Sequence, residues 1–167
     1  MESSFLTFTV GSYLLGVPSD ELIEVNKNLR CTKVPGSPKM IRGILNLRGL
    51  LMPVVDMGAY LNIKDAKSES FCIILKVQDN NIALAVDAIG DIVTFNLDAL
   101  VLPPAHLSGQ FQDAIRGAFR LSEGLLIALD SVAIVRNAQN PSVLGGVNYK
   151  PLSSPIWAPS SLGKRLR

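Results

Sequence analysis

The side chains best suited to chemistry in this sequence are few and scattered. His106 is the sole histidine and lies beside Pro103-Pro104 in a predicted loop, with no serine or cysteine arranged around it as a triad. Cys31 and Cys72 have no second Cys or His at metal-ligand spacing, so they read as reduced thiols rather than as a disulfide or a metal site. No glycine-rich phosphate loop, GxGxxG or HExxH pattern is present. The carboxylates form no spaced pair of the acid–base kind. Asp56 and Asp130 stand out because they repeat, yet each immediately precedes a predicted helix, where an Asp accepts backbone N–H bonds as an N-cap. These residues give no support to an enzyme and call for neither cofactor nor metal.

The elements around those two aspartates carry more information. Ile41 to Asp56 reads as two strand-like runs joined by a polar turn, Asn46-Leu47-Arg48-Gly49, which predicts a hairpin. Ile115 to Asp130 repeats the pattern 74 residues later, with Ile, Arg, Gly, Leu, Leu and Asp at matching places. Each copy is followed by a short helical segment, Gly58 to Leu61 and Val132 to Val135. A repeat this long implies two related subdomains rather than a solenoid.

Other segments fall into the same scheme. Phe5 to Val10 and Tyr13 to Val17 are predicted strands about a Gly11-Ser12 turn. In Asp20 to Val25, Asp20 would cap a helix, whereas Ile23 and Val25 fit a strand equally well. Cys31 to Val34 reads as a short strand before Pro35-Gly36-Ser37-Pro38. Phe71 to Val77 and Ile82 to Val86 are strands about an Asp79-Asn80-Asn81 turn, and Asp87 to Val93 echoes Pro18 to Val25. The expected architecture is mainly β: two pseudo-symmetric five-stranded small barrels with short helices, each using closure to remove exposed edges. The body would span 1–136, as two intertwined parts of roughly 15–70 and 71–136 plus the N-terminal strand.

Charge separates this body from the C-terminal tail. Residues 137–167 hold four bases and no acid, whereas 1–136 hold twelve bases and fourteen acids. The Pro- and Ser-rich tail contains Tyr149 and the single tryptophan, Trp157, and shows no regular period. No apolar run approaches the ~18 residues of a spanning helix, and no signal peptide is evident, so a cytoplasmic protein is expected. A small β-barrel that binds single-stranded nucleic acid is the alternative class. It requires a basic groove interleaved with aromatics, and a slightly acidic body with 6% aromatic residues fits it poorly.

Lined up together, Leu22-x-Glu24-Val25, Val34-Pro35-x-x-Pro38, Ile41-x-Gly43-x-x-Asn46-Leu47-Arg48-Gly49 and Pro53-Val54-Val55-Asp56 resemble the CheW family of chemosensory coupling proteins. Val86-Asp87-Ala88-Ile89-x-Asp91-Ile92 and Ile115-Arg116-Gly117 extend the likeness from about Phe5 to Val135. The resemblance implies two five-stranded SH3-like barrels and a non-catalytic adaptor. Its partners would be the cytoplasmic tips of chemoreceptors and the regulatory domain of a CheA-type histidine kinase, with recruitment to membrane-associated receptor arrays. It further implies that Glu24 and Arg48 pair beside a receptor groove, with Leu22, Val25, Ile89 and Ile92 as apolar surface and Gly43 permitting close approach. Thr32 and Phe71 would face the kinase. The second hairpin departs from the pattern, since its turn is Ser122-Glu123-Gly124 and does not duplicate the arginine.

Overall fold

The computed structural model describes residues 1–27, 30–67, 71–102 and 110–139; His106 and the region from Asn140 onward lie outside them. The chain forms β1 (Glu2–Val10), β2 (Tyr13–Pro18), a 3-10 turn (Ser19–Glu21), β3 (Leu22–Lys27), β4 (Ile41–Leu47), β5 (Leu50–Asp56) and α1 (Met57–Tyr60). After these come β6 (Phe71–Val77), β7 (Asn80–Val86), β8 (Ala88–Asn96), a second 3-10 turn (Leu97–Ala99), α2 (Gln110–Asp113), β9 (Ile115–Leu121), β10 (Gly124–Leu129) and α3 (Ser131–Gln139).

The strands make two five-stranded sheets. The first has the order β3-β6-β7-β5-β4, the second β8-β1-β2-β10-β9. These orders superimpose if β3, β4, β5, β6 and β7 stand for β8, β9, β10, β1 and β2. Each repeat therefore lends its leading hairpin to the other sheet. The sheets do not follow the expected parts 15–70 and 71–136: the first takes its strands from 22–86, the second from 2–18 and 88–129. Parallel pairing selects this arrangement, because β5 pairs with β7 (Val54 with Ala83) and β10 with β2 (Leu126 with Leu14). A parallel partner cannot be the neighbour across a tight turn.

Both faces of the central strands are buried. Leu45, Met52, Val54, Cys72 and Ile74 pack together within the first sheet, and Phe5, Phe119, Leu126 and Ala128 within the second. Alternate residues, among them Leu6, Phe8, Leu15, Val55, Ile73, Leu75, Leu84 and Ile127, meet in one core shared by both sheets. That double burial explains the continuous apolar runs of β5, β6 and β7.

Each sheet is also tied end to end. Thr32, beyond β3, exchanges two backbone hydrogen bonds with Ile44 of β4 (2.9 and 2.8 Å). Val101, beyond β8, does the same with Ala118 of β9 (2.8 and 2.9 Å). The first and last strands of each order are thereby joined, which removes part of an open edge. Both bridges require a glycine: a Cβ on Gly43 would lie 2.5 Å from the Thr32 carbonyl oxygen, and one on Gly117 2.7 Å from that of Val101.

Both aspartates cap helices as expected, Asp56 accepting from the Ala59 amide (3.1 Å) and Asp130 from the Ala133 amide (3.2 Å). Two boundaries differ from the sequence-based expectation. Asn80 and Asn81 belong to β7, and the turn is Gln78-Asp79, with Gln78 at φ +56°. α3 continues past 136 to Gln139 because Ala138 is buried and the Asn137 amide donates to the Tyr60 hydroxyl at 2.7 Å. The regular structure thus runs three residues into the segment assigned to the tail.

Candidate functional site

Arg48 and Gly49 form the two-residue loop between β4 and β5, with φ of +52° and +87°. Positive φ at both positions is the geometry that matches the twist of a hairpin, and it explains Gly49. The Asn46 side chain steadies the loop by accepting from the Gly49 amide at 3.0 Å. This places Arg48 at the tip of one end strand of the first sheet, facing Glu24 on the strand at the other end.

The two side chains meet as a fork. Arg48 Nη1 donates to Glu24 Oε1 at 2.5 Å and Nη2 to Oε2 at 3.3 Å. The Asn26 amide donates to the same Oε2 at 2.7 Å. The hydrogen bonds from Arg48, then Asn26, hold the Glu24 carboxyl below the usual carboxylate range, and Glu24 in turn raises the Arg48 guanidinium. The arginine is 73% exposed and the glutamate 23%. A pair so open to water contributes little to stability. What it does is orient a planar cation outward beside β3, where two of its donors are already committed and the remainder face solvent.

The expected apolar residues separate into two groups. Leu22, Val25 and Ile89 are half-buried and rest against the shared core. Ile92 is 56% exposed, and its neighbour Val93 is also open. Ile23, which the family pattern does not single out, is exposed because β3 bulges between Leu22 and Glu24. β8 has the matching irregularity against β1, with Ile89 opposite Phe8 and Ile92 opposite Leu6. Bulges on edge strands turn a side chain away from its expected face. A period-2 pattern cannot reveal them, so Ile23 left no signal beyond its type.

Gly43 is buried, and the close approach it permits is to the chain's own Thr32. It is part of the scaffold, not of the surface. Thr32 is exposed at its bridge, whereas Phe71 is half-buried against the shared core, with the Lys27 ammonium 5.6 Å from its ring centroid. Asp87, present in the second-half motif, serves the interior of the fold. It accepts from the Gly11 amide at 2.6 Å and from the Lys67 amide at 3.1 Å, tying the β1–β2 turn to the connector after α1.

Cys31 and Cys72 are free thiols, Cys72 buried and its thiol raised by that burial. No group of His, Cys, Asp and Glu suited to a metal ion occurs among the described residues, and none of their helices is long and apolar enough to cross a membrane.

Fold and site together define a small double-sheet β module that presents two bulged, partly apolar edge strands and an outward ion pair. Its residues 4–139 match the CheW-like domain, and the chain belongs to that family. It is 30% identical to the chemotaxis protein CheW of Rhizobium meliloti, over 76% of this chain and 84% of that one. It is 27% identical to the protein PilI of Pseudomonas aeruginosa, over 74% and 71%. Among solved structures it resembles the scaffolding protein TtCheW of Thermoanaerobacter tengcongensis, with a TM-score of 0.70, 25% identity, and coverage of 78% of this chain and 90% of that one.

Proposed function

We propose that this chain is a cytoplasmic, non-catalytic adaptor that couples chemoreceptor tips to a CheA-type histidine kinase, in a taxis or surface-motility system. The observation that carries the reading is the pair of equivalent edge strands, β3 and β8, each bulged and each leaving isoleucine in solvent, with Arg48–Glu24 beside the first. Exposed apolar side chains together with an exposed arginine are a common composition for a protein-binding surface. A helical receptor tip would lay its apolar stripe on Ile23, Ile92 and the half-buried Leu22, Val25 and Ile89, and would meet Arg48 at the rim. The kinase regulatory domain would take the sheet ends, where Thr32 is open; Phe71 offers a smaller anchor because half of it serves the core. By holding both partners at once the adaptor raises their effective concentration and links their states.

Single-strand binding finds little to work with. Phe5, Phe8 and Phe119 are buried, and Phe95 stacks on Phe119 with ring centroids 4.4 Å apart, so these rings are closed to bases.

The test is co-purification of the full chain with a receptor cytoplasmic fragment and, separately, with a CheA-type regulatory domain, for wild type and Arg48→Glu. Wild type should bind both, and the variant should lose the receptor alone while unfolding as cooperatively as wild type. Binding of neither by wild type would reject the adaptor reading. Loss of both legs, or of cooperative unfolding, in the variant would make Arg48 structural.

A further inference from the structure

A cavity of about 320 Å³ opens between the β6–β7 turn and the outer face of α3, far in sequence from the Arg48 pair and not used by the adaptor reading. Val77, Val132 and Val135 form its apolar walls, and Gln78, Asn80, Arg136 and Gln139 its polar rim. Val132 is 39% exposed there, although it sits on a helix whose other face is packed in the shared core. Gln139, on the rim of this cavity, is the last described residue.

We propose that the cavity is the docking site of the chain's own C-terminal tail, with Trp157 as the side chain that enters it. Three observations converge on this occupant. The first is reach: Trp157 is eighteen residues beyond Gln139, and a flexible chain of that length would have a root-mean-square span of ~20–25 Å, enough to bring the indole to the cavity at high effective concentration. The second is chemistry: an indole presents a face to a cation and one N–H donor. Arg136 supplies the cation, and the amide oxygens of Gln78 and Gln139 supply acceptors on the rim, where Gln139 Nε2 donates to Asn80 Oδ1 at 3.2 Å. Size is the third, since the volume lies at the low end of the range for ligand pockets, ~300–1,000 Å³, as suits a single aromatic group.

Trp157 is the only tryptophan, which makes its own fluorescence the readout in the unaltered full chain. Docking requires a blue-shifted emission and weak quenching by acrylamide in wild type, both reverting to fully solvated values in denaturant. Val132→Lys removes an apolar wall and places a cation beside Arg136. Arg136→Ala removes the cation at an exposed helical position that alanine suits. Each should red-shift Trp157 and raise its quenching while far-UV circular dichroism stays unchanged. Solvated emission in wild type would overturn the proposal. So would a shielded Trp157 that neither variant affects, since the tail would then rest elsewhere. A blue shift that grows with protein concentration, together with dimer formation, would assign the cavity to the tail of a second copy and overturn the intramolecular form.

Discussion

At the hairpin turn of the first sheet Glu24 faces Arg48; at the equivalent places in the second stand Asp91 and Ser122. The scaffolds beneath are nearly the same. Both sheets share a strand order, a parallel pairing, an end-to-end bridge, a buried glycine and an aspartate cap. They differ at the turn tip, where Arg48-Gly49 is replaced by Ser122-Glu123, and at the bulged strand, where the Asp91 carbonyl accepts from the Thr7 hydroxyl at 2.7 Å. The duplicated parts hold the fold, and the part that differs between copies faces the solvent. That division is what a folding constraint shared by both copies and a binding constraint placed on one of them would produce.

The bridges offer the largest effect with which to break this likeness. Gly43→Ala and Gly117→Ala each push a methyl group into a backbone carbonyl that cannot swing aside. Both should lose ~1–3 kcal/mol in urea unfolding, in keeping with other overpacked sites. A loss in only one variant would show that the two closures are unequal despite matching geometry.

A smaller effect is expected at the helix caps. Asp130→Ala should cost about 1 kcal/mol, the usual value for a lost N-cap. Asp56→Ala should cost more, because Asp56 also pairs with Arg42 at 2.9 Å. Thermal unfolding of the two variants side by side measures the difference, and equal losses would mean that the Arg42 pair adds nothing.

The smallest and most local contrast is between two glutamates three residues apart. Glu24 is lowered by its hydrogen bonds from Arg48 and Asn26. Its contribution is present above the ordinary glutamate value and disappears as pH falls through the lowered one. Glu21 is raised by burial, against the lowering effect of a 2.6 Å hydrogen bond from the Ser131 hydroxyl. Its contribution is full below the ordinary value and disappears as pH rises through the raised one. Carboxyl resonances followed by NMR should therefore titrate on opposite sides of the free residue. Arg48→Ala should move Glu24 upward and leave Glu21 in place; a Glu24 that does not respond would mean that Asn26 alone sets its value.

Much of this was legible along the chain. The 74-residue repeat, the hairpins, the caps at Asp56 and Asp130 and the Glu24–Arg48 pairing rest on residue types at fixed spacing, which is local information or motif information. Pro53 lies inside β5. The parallel pairing with β7 begins only at Val54, so no amide is missed there.

The sequence by itself located most of the strands, both repeated hairpins and the two aspartate-capped helix starts, and marked the chain as a duplicated β module, while leaving 20–25 open between helix and strand. Only the tertiary structure decided which strands share a sheet. Exchange of the leading hairpins costs the local pattern nothing and is selected by parallel pairing and the shared core, which join residues more than a hundred apart, such as Leu14 and Leu126. The tertiary structure also set Gly43 against the Thr32 carbonyl in a bridge and turned Ile23 outward at a bulge. Both depend on the distance to a strand that the local sequence does not specify.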